Sequence, residues 1–130
     1  MKFPFMKKKG VLVTGLNPVF STQPFIDAIV DSFRMWSEDS EGYQPTVTSG
    51  TDGKHSRWSE HYKGNALDFR VYDINLDLNF LQLDCLCIAL IVSLKKRCPE
   101  FQWHIVLHST HIHLQTSGKN IKLNSKSVYK

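Results

Sequence analysis

Imidazole and carboxylate groups at short separations are the chemistry-bearing feature of this sequence. Of its six histidines, five gather in two stretches. His55 and His61 belong to the first, which closes with Ser59-Glu60-His61-Tyr62-Lys63-Gly64-Asn65-Ala66-Leu67-Asp68. His108, His111 and His113 make the second, His108-Ser109-Thr110-His111-Ile112-His113. A zinc ion that does hydrolytic work takes three protein ligands, nitrogen or oxygen at roughly 2.0–2.2 Å, and keeps a position open for water. A single strand histidine is usually only polar surface, and a His-x-His pair alone also takes copper or nickel. The aspartate and glycine-rich loop beside the first cluster, with no thiolate close in sequence, favour zinc.

Each of these side chains needs an element to hold it. Ala66 to Tyr72 alternates, with Asp68, Arg70 and Tyr72 on one face and Leu67, Phe69 and Val71 on the other, which predicts a strand with one polar face. His111 to Thr116 predicts a second strand. There His111 and His113 project together, because side chains alternate with period two, and Ile112 and Leu114 turn to the core. Trp103 to His108 predicts its hairpin partner across a tight turn at Ser109-Thr110. His61 lies near the end of Gly50 to Gly64, a stretch without periodicity that reads as an ordered functional loop. Gly64 lets the chain turn back towards Asp68.

Upstream, Thr46 to Ser49 is short and largely β-branched, a strand. Pro24, with Ser21 or Thr22 near the cap, opens a helix that the spacing of Phe25, Ile26, Ile29, Val30 and Phe33 carries to about Trp36. A second helix is predicted from about Asn79 to Arg97. Lys95, Lys96 and Arg97 suit its negative C-terminal end, and Pro99 bars extension. Together these elements predict an α+β domain: a small, mainly antiparallel sheet with helices packed on one side.

A chain of 130 residues that is 42% hydrophobic has material for one core, so a single domain over residues 1–130 is expected. Within it, 1–14 is a basic N-terminal segment and 117–130 a polar, lysine-rich tail. Cys85, Cys87 and Cys98 are odd in number and lack a framework spacing, which argues for buried thiols and against a disulfide scaffold. The longest apolar run, Leu86 to Val92, is too short to span a bilayer. Val11 to Val13 is too short for a signal-peptide core, so cytoplasmic synthesis without a signal peptide is expected. The net charge of +4 is either a solvated surface or an attraction to an anionic envelope polymer. No nucleic-acid motif accompanies it, so no nucleic-acid partner is expected.

The two clusters taken together resemble the signature of the zinc D-Ala-D-Ala carboxypeptidases and their relatives, which include L-alanyl-D-glutamate endopeptidases of phages and the zinc domain of Hedgehog proteins. That signature is Ser-x-His followed by Gly-x-Ala-x-Asp, the aspartate seven residues after the histidine. Ser59-x-His61 and Gly64-x-Ala66-x-Asp68 match it in residues and in spacing. His111-x-His113 matches the family's C-terminal histidine motif, and Thr48-Ser49-Gly50 is similar to the segment leading into the active-site loop. The resemblance covers roughly residues 15 to 116 and implies a Hedgehog/DD-peptidase-like fold.

It further implies His61, Asp68 and His113 as zinc ligands, with His111 either the alternative third ligand or a residue beside the substrate. Members of one branch carry a glutamate three residues before the last ligand. Here that position is Thr110, or His108 if His111 is the ligand. Others carry a histidine five residues before it, which His108 matches, so His108 is the implied acid/base. An arginine that relatives place two residues after Ser-Gly is replaced by Asp52. Arg57 and Arg70 are the nearest substitutes for gripping a substrate carboxylate, although Arg70 also suits an ion pair with Asp68. His55 and Tyr62 border the loop as candidate cleft residues. The implied function is a Zn2+ metallopeptidase cutting peptidoglycan stem peptides at the bacterial cell wall. It would act as a monomer, in the manner of a phage lysis enzyme reaching the wall by phage-mediated release or delivery. A non-catalytic zinc-binding module of the same fold is the alternative.

Overall fold

The computed structural model describes residues 3–35, 44–52, 60–71, 80–116 and 128–129. Two helices, α1 (Gln23–Met35) and α2 (Phe80–Arg97), pack on one face of a six-stranded sheet. The strands are β1 (Met6–Lys7), β2 (Thr46–Ser49), β3 (Ala66–Arg70), β4 (Trp103–Leu107), β5 (His111–Thr116) and β6 (Val128–Tyr129), in the spatial order β1-β2-β3-β5-β4-β6. β1 runs parallel to β2, and every other pairing is antiparallel. The expected α+β architecture is therefore present, its sheet mixed and mainly antiparallel.

Side-chain periodicity explains the layering. On α1, Phe25, Ala28, Ile29, Ser32 and Phe33 are buried, and on α2 the buried stripe is Leu86, Cys87, Leu90, Ile91 and Leu94. Both stripes meet the apolar sheet face formed by Val47, Leu67, Phe69, Ile105, Ile112 and Leu114. Phe25 stacks on Trp103 with centroids 5.6 Å apart, and the Trp103 indole donates to the Cys98 carbonyl at 3.1 Å, so this large ring is buried without an orphaned donor. The three cysteines are free, and burial, helped by the Asp84 charge, pushes the Cys87 thiol up to about 12. Such a thiol is inert core.

Several boundaries differ from the sequence expectation. The strand predicted to reach Tyr72 ends at Arg70, and the next amide, Val71 N–H, bonds in register to Thr110 O at 3.1 Å, where β5 gives way to the hairpin turn. The hairpin strand stops at Leu107, and the His108 N–H closes the turn onto His111 O at 2.9 Å. Ahead of α1 lies a short 3-10 turn, Pro18–Ser21, not among the predicted elements, capped by the Asn17 side chain, which accepts from Val19 N–H at 3.0 Å. The basic N-terminal segment supplies β1, and the tail supplies β6 beside β4. These two-residue strands have no pattern long enough to read. Trp36, Tyr72 and Asn79, predicted element ends, lie outside the described residues, as does most of the tail. Among the described residues, no helix is long and apolar enough to cross a membrane.

Candidate metal centre

β3 and β5 lie side by side in antiparallel register, which sets Asp68 directly opposite His113. Leu67 and Phe69 on one strand, and Ile112 and Leu114 on the other, turn to the helices. The alternation leaves Asp68 and His113 together on the opposite, helix-free face. His61 arrives from a 3-10 turn, Glu60–Lys63, in front of that face.

The turn ends at Gly64, whose φ of 78° suits glycine. A second constraint operates there: a Cβ on Gly64 would lie 2.0 Å from the Gly15 carbonyl oxygen. Gly50 is similarly pressed, since a Cβ there would lie 2.2 Å from Leu12 O. Residues 12–17 form a strap across both glycines. Thr51 N–H donates to Leu12 O at 2.9 Å and Asn17 N–H to Gly64 O at 2.9 Å. The Asp52 carboxylate accepts from the Leu12 and Gly50 amides at 3.1 and 2.9 Å. Asp52 is thus committed to the backbone.

Three side-chain atoms converge on one point. His61 Nε2 lies 3.0 Å from Asp68 Oδ1 and 3.1 Å from His113 Nδ1, and His113 Nδ1 lies 3.1 Å from Asp68 Oδ1. The outward ring nitrogens are both engaged. His61 Nδ1 donates to Gly50 O at 2.8 Å, and His113 Nε2 to Gln115 Oε1 at 2.8 Å. A carbonyl oxygen only accepts, so each imidazole carries its proton on the outward nitrogen and its lone pair on the inward one. With both rings neutral, two lone pairs and a carboxylate oxygen then face one another. Such a trio needs a cation, and its separations approach the edge of about 3.3 Å expected for tetrahedral ligands on zinc. His61 is 1% and Asp68 7% exposed, so solvent does little to relieve the crowding. Burial opposes ionisation of Asp68, yet hydrogen bonds and charge from His113 and His61 outweigh it and hold the carboxyl well below the usual range. A carboxylate only accepts, so a hydrogen bond to it from either ring uses a proton on an inward nitrogen, which a bound cation would replace.

His61, Asp68 and His113 form a group that can hold a metal ion. The donor set, two imidazoles and a carboxylate, suits zinc and other borderline divalent ions. His111 is not in the group. Its Nε2 stands 3.8 Å from the other oxygen of Asp68, beyond hydrogen-bonding distance, and its Nδ1 meets the Thr110 hydroxyl at 3.2 Å. Burial, with the neighbouring imidazoles acting in the same sense and Asp68 opposing, keeps His111 below its ordinary pKa and neutral. His108 stacks on His111, centroids 4.6 Å apart and rings 23° from parallel, so it stands one ring farther from Asp68 and is exposed.

Arg70 sits directly across from His111, on the Asp68 face of β3, and its guanidinium reaches the Thr46 hydroxyl at 3.4 Å. His55 and Arg57 lie outside the described residues, and of Tyr62 only the backbone is described, in the 3-10 turn. Gln115 and the Gly50 carbonyl, the two groups that orient the imidazoles, were not singled out from the sequence. Gln115 was legible by period two, two residues beyond His113 on the same face. The Gly50 contact has no sequence signal. His104, the sixth histidine, is 8% exposed and directly opposite Gln115. No protein-family model, curated protein or solved structure matches this chain.

Proposed function

We propose that the chain is a zinc metallopeptidase of the D-Ala-D-Ala carboxypeptidase and L-alanyl-D-glutamate endopeptidase group, with a Hedgehog/DD-peptidase-like fold, acting on peptidoglycan stem peptides. One observation carries the reading: the convergence of His61 Nε2, Asp68 Oδ1 and His113 Nδ1 within 3.1 Å of one another, on residues that also match the family's ligand positions. When bound, zinc supplies Lewis-acid polarisation of a carbonyl and lowers the pKa of water. The chain's own residues supply the rest. His61 and His113 are held in ligand-competent tautomers by Gly50 O and Gln115. His108 serves as the acid/base, working beside the neutral ring of His111. An imidazole, which can both accept and return a proton, suits that task. Arg70, sharing a sheet face with Asp68, is assigned to a substrate carboxylate, and His55, Arg57 and Tyr62 to the loop side of the cleft. The setting proposed is the bacterial cell wall, reached as a phage lysis enzyme would reach it.

A specific residue favours the second reading, a zinc-binding module without turnover. Thr110 stands where one branch of the family has its catalytic glutamate, and its hydroxyl is spent on His111. One experiment separates the two. Purified protein with one equivalent of zinc is incubated with intact sacculi, and the products are identified by mass spectrometry. Cleaved stem peptides, lost in His61→Ala, Asp68→Ala and His113→Ala proteins and reduced in His108→Ala, are expected. Tight zinc binding without products selects the non-catalytic module. Full activity in all three ligand variants overturns both.

A further inference from the structure

The helical layer carries a surface that the metal centre does not use. Met35, Ile88 and Val92 are 68%, 48% and 60% exposed and line one groove of about 610 Å³ between α1 and α2. Ile88 and Val92 also line a second groove, of about 430 Å³, that runs to Val128 and Tyr129. An apolar surface that is continuous across α2 marks an interaction site. It lies on the far side of the helices from the sheet face that carries His61, Asp68 and His113.

The ridge between the grooves states what fits there. Asp84, Ile88, Val92 and Lys96 follow one another at intervals of four residues, a row along the helix surface. The row reads acidic, apolar, apolar, basic. Such a row is complementary to itself only when reversed: a two-fold axis beside residue 90 sets Asp84 against Lys96 of a second copy and Ile88 against its Val92. Parallel pairing would oppose like charges, and it would also align the two helix dipoles unfavourably. The ends of the row are placed for this. Arg97 is already tied to Asp31 at 3.0 Å, whereas Lys96 makes no ion pair among the described residues. Asp84 accepts the Tyr129 hydroxyl on one carboxylate oxygen, leaving the second for an ammonium. The grooves flanking each ridge receive the ridge of the other copy.

We infer that the chain forms a two-fold symmetric dimer through antiparallel α2 helices, with Ile88 and Val92 at its centre and two Asp84–Lys96 pairs at its ends. The contact is isologous, so each substitution acts twice. Sedimentation velocity of the full chain, from low micromolar to near-millimolar concentration, tests it. Wild type is expected to sediment as a dimer at the upper end. Asp84→Lys and Lys96→Asp should each weaken association about a hundredfold, since each turns two attractions into repulsions. Mixed together, the two variants should recover a one-to-one dimer, because their charges again complement. Lysine at position 84 also removes the Tyr129 hydrogen bond. Val92→Glu and Lys96→Asp, both at exposed positions, therefore carry the test if Asp84→Lys melts early. Wild type that stays monomeric across the range overturns the inference. So does a dimer indifferent to Lys96→Asp and Val92→Glu, which would use another surface.

Discussion

His113 and His111 are the same residue type, two positions apart on one strand face, yet only His113 brings a ring nitrogen to 3.1 Å from Asp68, and His111 stops at 3.8 Å. The register sets His113 directly opposite Asp68, and the groups behind the two rings differ as well. Gln115 accepts the outward N–H of His113 at 2.8 Å, while the Thr110 hydroxyl sits at Nδ1 of His111. Groups that orient a ligating imidazole are typically worth about 10- to 100-fold in metal affinity. Gln115→Met should therefore weaken zinc binding by about that factor, whereas Gln115→Glu, which still accepts the proton, should retain it. Competition with a chromophoric chelator reads both. Equal affinity in Gln115→Met would show that packing alone positions His113. At this scale the ligand types and their spacing were open to inspection in the sequence, and the choice between His111 and His113 was not, because both satisfy the alternation.

The elements matter through the strap and the two glycines beneath it. Gly64 looks in sequence like a residue that merely permits a turn. In the fold it is also the place where residues 12–17 lie against the His61 turn, with no room for a Cβ. Gly64→Ala should cost roughly 2–4 kcal/mol, combining left-handed strain with displacement of the Gly15 carbonyl. Gly10 is a control: its φ is also positive, at 91°, but nothing lies within 4 Å of the missing Cβ. Gly10→Ala should cost only about 1 kcal/mol. Urea unfolding distinguishes the two, and equal losses would remove the close approach as the reason for Gly64. The principal strands and both helices were legible, since their periodicities run over four residues or more. The strap was not. Val11 to Asn17 has no period, and what it does depends on glycines far along the chain.

At the scale of the molecule, metal binding and folding are linked through protons. Ligating imidazoles must be proton-free, so affinity falls as the solution becomes acidic. Asp68 responds differently. Its folded carboxyl is held below the ordinary value, so its contribution to stability is complete above the normal carboxylate range. It is lost only as the pH falls towards the depressed value. Between about pH 7.5 and pH 5, weakening of the holoprotein should therefore come from the imidazoles and not from Asp68. A metal present at about a thousand times its dissociation constant adds about 4 kcal/mol to folding. Chelator should accordingly lower the melting temperature clearly near pH 7.5 and hardly at all near pH 5, and it should have no effect on His61→Ala. A chelator effect that persists in acid would place the metal elsewhere.

The sequence by itself determined which chemistry was on offer and the strands and helices that bear it, because both are written in local spacing: seven residues from His61 to Asp68, two from His111 to His113, alternation on the strands, helical intervals on α1 and α2. Only the tertiary structure decided which histidine faces Asp68, what orients it, why the glycines are needed and where an apolar ridge is left uncovered. Those outcomes depend on the register between β3 and β5 and on the strap crossing Gly50 and Gly64. They arise from contacts between residues some fifty positions apart, which no local pattern encodes.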